Sequence, residues 1–445
     1  MTRIEQLRKS TYGVLASNVS ARIGAMLCIF LATLLLARDG GAAAIGIYSL
    51  LHVLPGLLGT VVSSGLPVSV PYFLAGADRD DRRLPLTMIT MALVAGTLGT
   101  ALWVALAPLL GPIIFPDVSV ALVMLAGLCV LTRLVTITAK SCSQGSDDLR
   151  GANRIIFAEE FLFLPAYGLV WGLLGFHGYG AVIASMLIAD GAAASFGWAR
   201  LIRRGFLRGA APPSFELGRR VAAYGLRAQV GGVMSQLNLR LDFVILSILT
   251  GPAVLGVYAV ASKFAELVKV LGLALTYVFY PKFARGGRLS AVADVQRLIP
   301  RAGAITAVSV VVLWVSAGFV IPALYGSHFS SAVTPTRIIL LGLPLEGVAA
   351  VIIAFLYGVG RPGLTSWAMG LGLVATVALD LILIPPFGAT GAAIASAVSY
   401  LSTALALIAF FSWVRRSQEG AGAEGSVARN GSVQVTTSGA PASRR

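Results

Sequence analysis

Lys263, Glu266 and Lys269 stand three residues apart inside an otherwise apolar stretch, residues 254–281. On a helix that spacing puts all three within one face, with a carboxylate between two ammonium groups. Cations buried there would attract an anionic group. Each costs about 2.5–3.5 kcal/mol to insert at mid-membrane, so each needs water or a partner. Against that stands a plainer reading, in which Lys263 and Glu266 form a self-neutralising ion pair that only tolerates burial.

Other charged residues in apolar stretches extend the candidate list. Arg227, Asn238 and Asp242 fall along one side of the preceding stretch, and Arg240 points elsewhere. Arg22 follows Asn18 by one turn and is assigned to a cavity wall, the alternative being snorkelling to the interface. Arg133 and Lys269 lie nearer one surface and Arg337 nearer the other, and all three are read as snorkelling. Asp190, Glu346 and Asp380 are isolated acids. They either bind a coupling proton or cation or pair with the basic residues, and the sequence leaves both readings open. Glu159 and Glu160 are read as a wet helix end.

Several chemistries find no support. His52, His177 and His328 belong to different spans or loops, and Cys28, Cys129 and Cys142 are odd in number. No metal-ligand spacing and no disulfide framework follow. Gly358, Gly360 and Gly363 match a dinucleotide fingerprint in letters only, because Pro362 interrupts it and no strand precedes it. No phosphate-binding P-loop occurs either. The expectation is no cofactor beyond a coupling proton or sodium ion.

The elements that position these residues are helices in lipid. Hydrophobic residues make up 57% of 445 and charged residues 12%, with a mean hydropathy of +0.85. A soluble domain carries about 25% charged residues, twice as many. Apolar stretches near the roughly 20 residues needed to span a bilayer recur along the chain. They are placed near 13–37, 45–74, 85–111, 118–141, 155–176 and 179–200, then near 221–250, 254–281, 299–325, 333–358, 363–385 and 390–414. The alternation of a membrane β-barrel is absent from them.

The net charge of +15 raises the question of nucleic acid, and its placement answers it. Alternate loops hold Arg79, Arg82 and Arg83, then Lys140 and Arg150, then Arg203 to Arg220, then Lys282 to Arg301. The opposite loops, near 112–117, 176–180, 251–253, 326–332 and 385–390, contain no Lys or Arg, and only Arg38 breaks the pattern. This is the positive-inside distribution, which puts both termini in the cytoplasm and makes membrane lipids, not nucleic acid, the partner of the basic loops. No cleavable signal peptide is expected at the N-terminus.

The two halves read as copies. Ile45-Gly46-Ile47-Tyr48 corresponds to Leu255-Gly256-Val257-Tyr258, and Gly180-Ala181-Val182-Ile183-Ala184-Ser185 to Gly391-Ala392-Ala393-Ile394-Ala395-Ser396. An even number of spans per copy makes the repeats parallel. The predicted fold is all-α and integral to the membrane, about 12 transmembrane helices in two parallel six-helix repeats around a central cavity. Its parts are a cytoplasmic N-terminus at 1–12, lobes at 13–200 and 221–414, a basic linker at 201–220 and a disordered tail at 415–445.

These same residues carry a family resemblance. Arg38-Asp39-Gly40-Gly41, Gly46-Ile47-Tyr48 and Gly65-Leu66-Pro67 resemble the opening of polysaccharide-type flippases. Leu241-Asp242, Tyr280-Pro281-Lys282, Gly360-Arg361-Pro362 and Ile384-Pro385-Pro386-Phe387-Gly388 resemble later parts of the same proteins, within the MATE/oligosaccharidyl-lipid/polysaccharide superfamily. The resemblance covers about residues 10–414. It implies an alternating-access transporter in the bacterial inner membrane that moves undecaprenyl-diphosphate-linked oligosaccharide outward, for surface polymers such as O-antigen or exopolysaccharide. Polysaccharide polymerase and glycosyltransferases would be its partners. Lipid II flippases, which the chain resembles distantly, also carry a basic-x-x-acidic pair on the eighth span, where Lys263 and Glu266 stand here. Within the same fold the rival is a cation-coupled exporter of drugs or amphiphiles. A membrane glycan polymerase fits less well, because every predicted external loop is short.

Overall fold

The computed structural model describes residues 3–76, 80–285 and 288–433; the side chains at 3–16, 19, 417–433 and parts of 227–239 and 277–291 lie outside the description. It is helical, with no strand among the described residues. The helices are α1 Arg3–Val62, α2 Leu66–Ala75, α3 Leu84–Ile114, α4 Val120–Ala126, α5 Leu128–Gly145, α6 Leu149–Phe161, α7 Phe163–Tyr167 and α8 Gly178–Arg203. They continue as α9 Phe215–Thr250, α10 Pro252–Arg285, α11 Arg288–Tyr325, α12 Val333–Leu341, α13 Glu346–Gly358, α14 Pro362–Phe387 and α15 Ala389–Val433.

Eight described helical spans are long and apolar enough to cross a membrane, or nine if the stretches Ser327–Leu341 and Glu346–Gly358, bent by 46°, count as one. The apolar run inside α1 is two stretches in one, broken at Gly41, whose φ of 63° and ψ of −154° suit a residue without Cβ. Adding α9 and α10, parts of whose side chains lie outside the description, brings the spans to about twelve. They fall where the sequence places them. Leu98, Leu109, Phe319, Val374 and Ile382 point outward and are more than half exposed, as a surface wetted by lipid requires.

The core divides in a way that defines two lobes. One cluster joins both halves, from Ile45, Tyr48 and Phe115 to Tyr258, Phe329 and Ala392, at the end whose loops lack Lys and Arg. At the basic end one core, around Leu66, Met88 and Leu217, packs the first half against the first turns of α9, and another, around Phe283, Phe355 and Leu407, belongs to the second half. Thr33 and Tyr325 hydrogen-bond at 2.9 Å across the shared end. There α1 and α10 approach backbone to backbone, through the repeat-related Gly46 and Gly256.

The chain between the lobes is docked rather than free. Ala211 donates its N–H to the carbonyl of Arg82 at 2.8 Å, and Ser214 N–H donates to Thr87 Oγ1 at 3.1 Å. Helix α15 extends to Val433, through part of the segment expected to be unordered, and residues 434–445 lie outside the described residues.

Candidate functional site

The Lys263–Glu266 pair forms as the spacing predicts, with Lys263 Nζ 3.0 Å from Glu266 Oε2. It is not self-contained. Arg240, from α9, places Nη1 3.1 Å from the other oxygen, Oε1. Two cations therefore share one carboxylate, and the trio carries a net positive charge in a setting where Lys263 is only 9% exposed. The guanidinium of Arg240 also lies 5.5 Å from the ring of Phe243, an arrangement open to Arg and Lys alike but stronger for a planar cation.

Asp242 belongs elsewhere. Its Oδ2 accepts from Tyr258 Oη at 2.5 Å, its Oδ1 accepts the N–H of Phe243 at 2.9 Å, and Tyr258 Oη lies 2.8 Å from Ser396 Oγ. Asp380 in α14 is close enough to Asp242 for their charges to interact. Asp380 is fully buried, and neither of its oxygens has a hydrogen-bond partner among the described residues. Glu346 instead lies within electrostatic reach of Lys269, whose ammonium sits 3.6 Å from the centre of the Tyr400 ring.

A second polar cluster, in the N-terminal lobe, surrounds a cavity of about 230 Å³ lined by residues of α1, α5, α6, α7 and α8. Arg133 Nε pairs with Asp190 Oδ2 at 2.9 Å and its Nη1 donates to the carbonyl of His52. Lys140 pairs with Glu159 at 2.8 Å, and His52 Nε2 stands 3.7 Å from Glu160. Arg133 is therefore no snorkelling residue, since its side chain is 12% exposed and turned onto α8. Nor are Glu159 and Glu160 a wet helix end, because both face the cavity. Asp190 has taken the pairing alternative. Arg240 and Lys263 act electrostatically on His52, and Lys263 on Glu160, so the two clusters face each other across the seam between lobes.

Other sequence candidates are distributed differently. Asn18 donates to Asn153 Oδ1 at 2.7 Å and accepts from Arg22 Nε at 3.1 Å, which groups Asn18 and Arg22 with α6. Arg337 donates to the carbonyl of Trp314 at 3.2 Å and stacks on that ring, so it is held by α11. The side chains of Arg227 and Asn238 lie outside the described residues. His52, Glu160 and Tyr258 were not singled out as binding residues from sequence. The one available signal was the repeat, because Tyr48 lines the N-terminal cavity while its counterpart Tyr258 holds Asp242.

A helical membrane protein of two lobes, joined at one end and meeting over a seam of buried charge, is the class that fold and site define. Solved structures of that class share the fold. A multidrug resistance MATE family transporter of the MOP superfamily, inward-facing, aligns with a TM-score of 0.71 at 16% identity, over 89% of this chain and 95% of its own. The lipid II flippase MurJ in an inward closed conformation gives 0.66 at 13%, over 88% and 86%. An outward-facing MATE family transporter of the MOP superfamily gives 0.62 at 16%, over 92% and 96%. No curated protein matches by sequence. The family profile described as "Polysaccharide biosynthesis protein" matches residues 35–334, and the chain belongs to that family.

Proposed function

We propose that the protein is an alternating-access flippase carrying an undecaprenyl-diphosphate-linked oligosaccharide from the cytoplasmic to the outer leaflet of the bacterial inner membrane, for surface polysaccharide biosynthesis. The observation that carries this reading is Glu266, shared by Arg240 and Lys263 at 3.1 and 3.0 Å. A neutral ion pair would serve the fold alone, whereas two cations on one carboxylate keep a positive charge for a phosphate group to meet. The family supports a polysaccharide role, and the fold shared with a lipid II flippase supports a lipid-linked substrate. The basic loops support a cytoplasmic position for the end where the two smaller cores lie, and for both termini. Glycosyltransferases would supply the substrate and a polymerase would consume it. A coupling proton or sodium ion is assigned to Asp380, with its unpartnered oxygens beside Asp242.

Reconstitution tests the reading. Proteoliposomes holding a fluorescent short-chain polyprenyl-diphosphate oligosaccharide should expose it to an impermeant quencher only when the protein is present. Lys263→Ala should abolish this in folded protein, and Lys263→Arg should retain part of it. Transport of cationic dyes with no movement of the glycolipid would replace the flippase by a drug exporter on the same fold.

A further inference from the structure

The charges around the N-terminal cavity do not cancel in the way its ion pairs imply. Arg133 with Asp190 and Lys140 with Glu159 are two neutral pairs, at 2.9 and 2.8 Å. That leaves Glu160 facing His52 Nε2 at 3.7 Å, beyond hydrogen-bond distance but within ion-pair range. The carboxylate side chain is 18% exposed and the imidazole 31%. We propose that His52 and Glu160 together form a single-proton binding site of this protein, linked electrostatically to the Lys263–Glu266–Arg240 cluster across the seam.

The pair is neutral when it holds one proton, on either Glu160 or His52. Taking that proton away leaves a carboxylate with no cation of its own, and adding a second leaves a bare imidazolium beside Arg133. Each departure puts an uncompensated charge in a partly buried site, so the occupancy is set by the charges around it. Those charges come from every neighbouring element. Helix α1 presents Tyr48 and Cys28 to Glu160. Helix α5 presents Arg133 and Lys140, α6 presents Glu159, and α8 presents Asp190. From the other lobe, Lys263 acts on both members of the pair and Arg240 on His52, with Glu266 already bound to both cations.

A proton suits this site better than a metal ion. The carboxylates of Asp190 and Glu159 are committed to Arg133 and Lys140, so a metal would find one carboxylate and one imidazole beside two fixed cations. The cavity of about 230 Å³ has room for water to deliver the proton and take it back, and no other bond changes. The linkage is reciprocal. An anion on Lys263 and Arg240 offsets the cations that favour bare Glu160, so it tightens the hold on the proton, and the proton tightens the hold on the anion. The proton site stands on the geometry alone, while its coupling to an anion rests on the flippase reading.

Infrared difference spectroscopy on purified protein in nanodiscs tests the site without a transport assay. Wild type minus Glu160→Gln should show a protonated-carboxyl band that titrates with pH, distinct from any band of Asp380, and His52→Gln should shift its midpoint. Glu159→Gln, which removes an already paired acid, should keep the band. No band in the wild type minus Glu160→Gln difference, or one unmoved in His52→Gln, while both variants unfold at the wild-type temperature, overturns the proposal. The second arm adds inorganic pyrophosphate to weakly buffered protein. Wild type should take up about one proton per bound pyrophosphate at most, and Glu160→Gln should bind without uptake. Pyrophosphate that binds wild type with no proton uptake refutes the linkage. Pyrophosphate that fails to bind counts against the anion reading of Lys263 and Arg240, while the carboxyl band still decides the proton site.

Discussion

A Cβ on Gly46 would run into the carbonyl oxygen of Pro252, and one on Gly256 into the carbonyl oxygen of Ala42. The two contacts are exchanged copies of one another, since Gly46 and Gly256 hold the same place in the repeat. A local two-fold axis therefore passes between α1 and α10 where the lobes join. No side chain fits there, because the obstructing atoms are backbone and cannot rotate away.

The first prediction follows from that contact. Gly46→Ala or Gly256→Ala should push the lobes apart at this end, with a cost to the closed arrangement of about 1–3 kcal/mol or more. That corresponds to a shift of roughly fivefold or more in the balance between arrangements. Spin labels at positions 117 and 327, both exposed near the shared end, should move apart in either variant. An unchanged distance distribution would mean that α1 and α10 tolerate the methyl group and that this contact is no gate.

The second concerns Glu266. Because Arg240 also binds it, Lys263→Gln leaves the carboxylate paired, whereas Glu266→Gln strands two cations. Loss of one partner from a buried pair costs about 3–5 kcal/mol, so Glu266→Gln should lower the unfolding temperature more than Lys263→Gln or Arg240→Gln. Combining Lys263→Gln with Glu266→Gln should recover only part of the loss, since Arg240 still lacks its carboxylate. Full recovery would show that Arg240 does not depend on Glu266.

The contrast between Glu266 and Glu160 shows what sequence could reach. Lys263 and Glu266 were legible because helical spacing of three fixes their proximity without knowledge of the fold. The same geometry correctly separated Arg240 from Asp242, which go to Glu266 and Tyr258. Arg133 and Asp190 are 57 positions apart, and the pair His52 and Glu160 more than 100. In lipid the outer faces of helices are as apolar as the core, so the periodicity that tells a soluble helix which side is inward is weak. Depth along a span can be counted, but direction around it cannot, and Arg133 was read as snorkelling for that reason.

The third prediction lies outside the spans, on the loop before α6. Asp148 caps that helix through the N–H of Gly151 at 3.0 Å and holds Arg200 and Arg204 at 3.1 and 2.5 Å. Burial raises the carboxyl, but the two guanidinium groups and the Gly151 N–H outweigh it and bring Asp148 to about 2. A carboxyl lowered on folding contributes stability above its ordinary value of 3.8, and that contribution fades as pH falls towards 2. Asp148→Ala should cost about 1 kcal/mol for the cap and more for the arginines, and Asp148→Asn less, because its amide oxygen can still cap. The gap in unfolding temperature between wild type and Asp148→Asn should be present at neutral pH and shrink below pH 4. A gap independent of pH would remove the charge from the explanation.

The last prediction separates a residue kept for function from one kept for the fold. Asp380 is fully buried, and neither oxygen has a hydrogen-bond partner among the described residues. A buried polar group without partners costs about 1–3 kcal/mol, and an acid in that position makes the fold worse, not better. Its neighbour Asp242 cannot relieve it, being an acid already engaged with Tyr258 at 2.5 Å. Asp380→Leu should therefore raise the unfolding temperature, since an apolar side chain of similar size removes the cost. The same variant should lose whatever dependence glycolipid movement has on a sodium or proton gradient, while Asp380→Asn, still polar and unpartnered, should lose the dependence without the gain in stability. A variant that is destabilised by leucine would show that the fold needs the carboxyl. A stabilised Asp380→Leu that keeps its gradient dependence would move the coupling ion away from Asp380, and turn attention to the His52–Glu160 pair and Glu346.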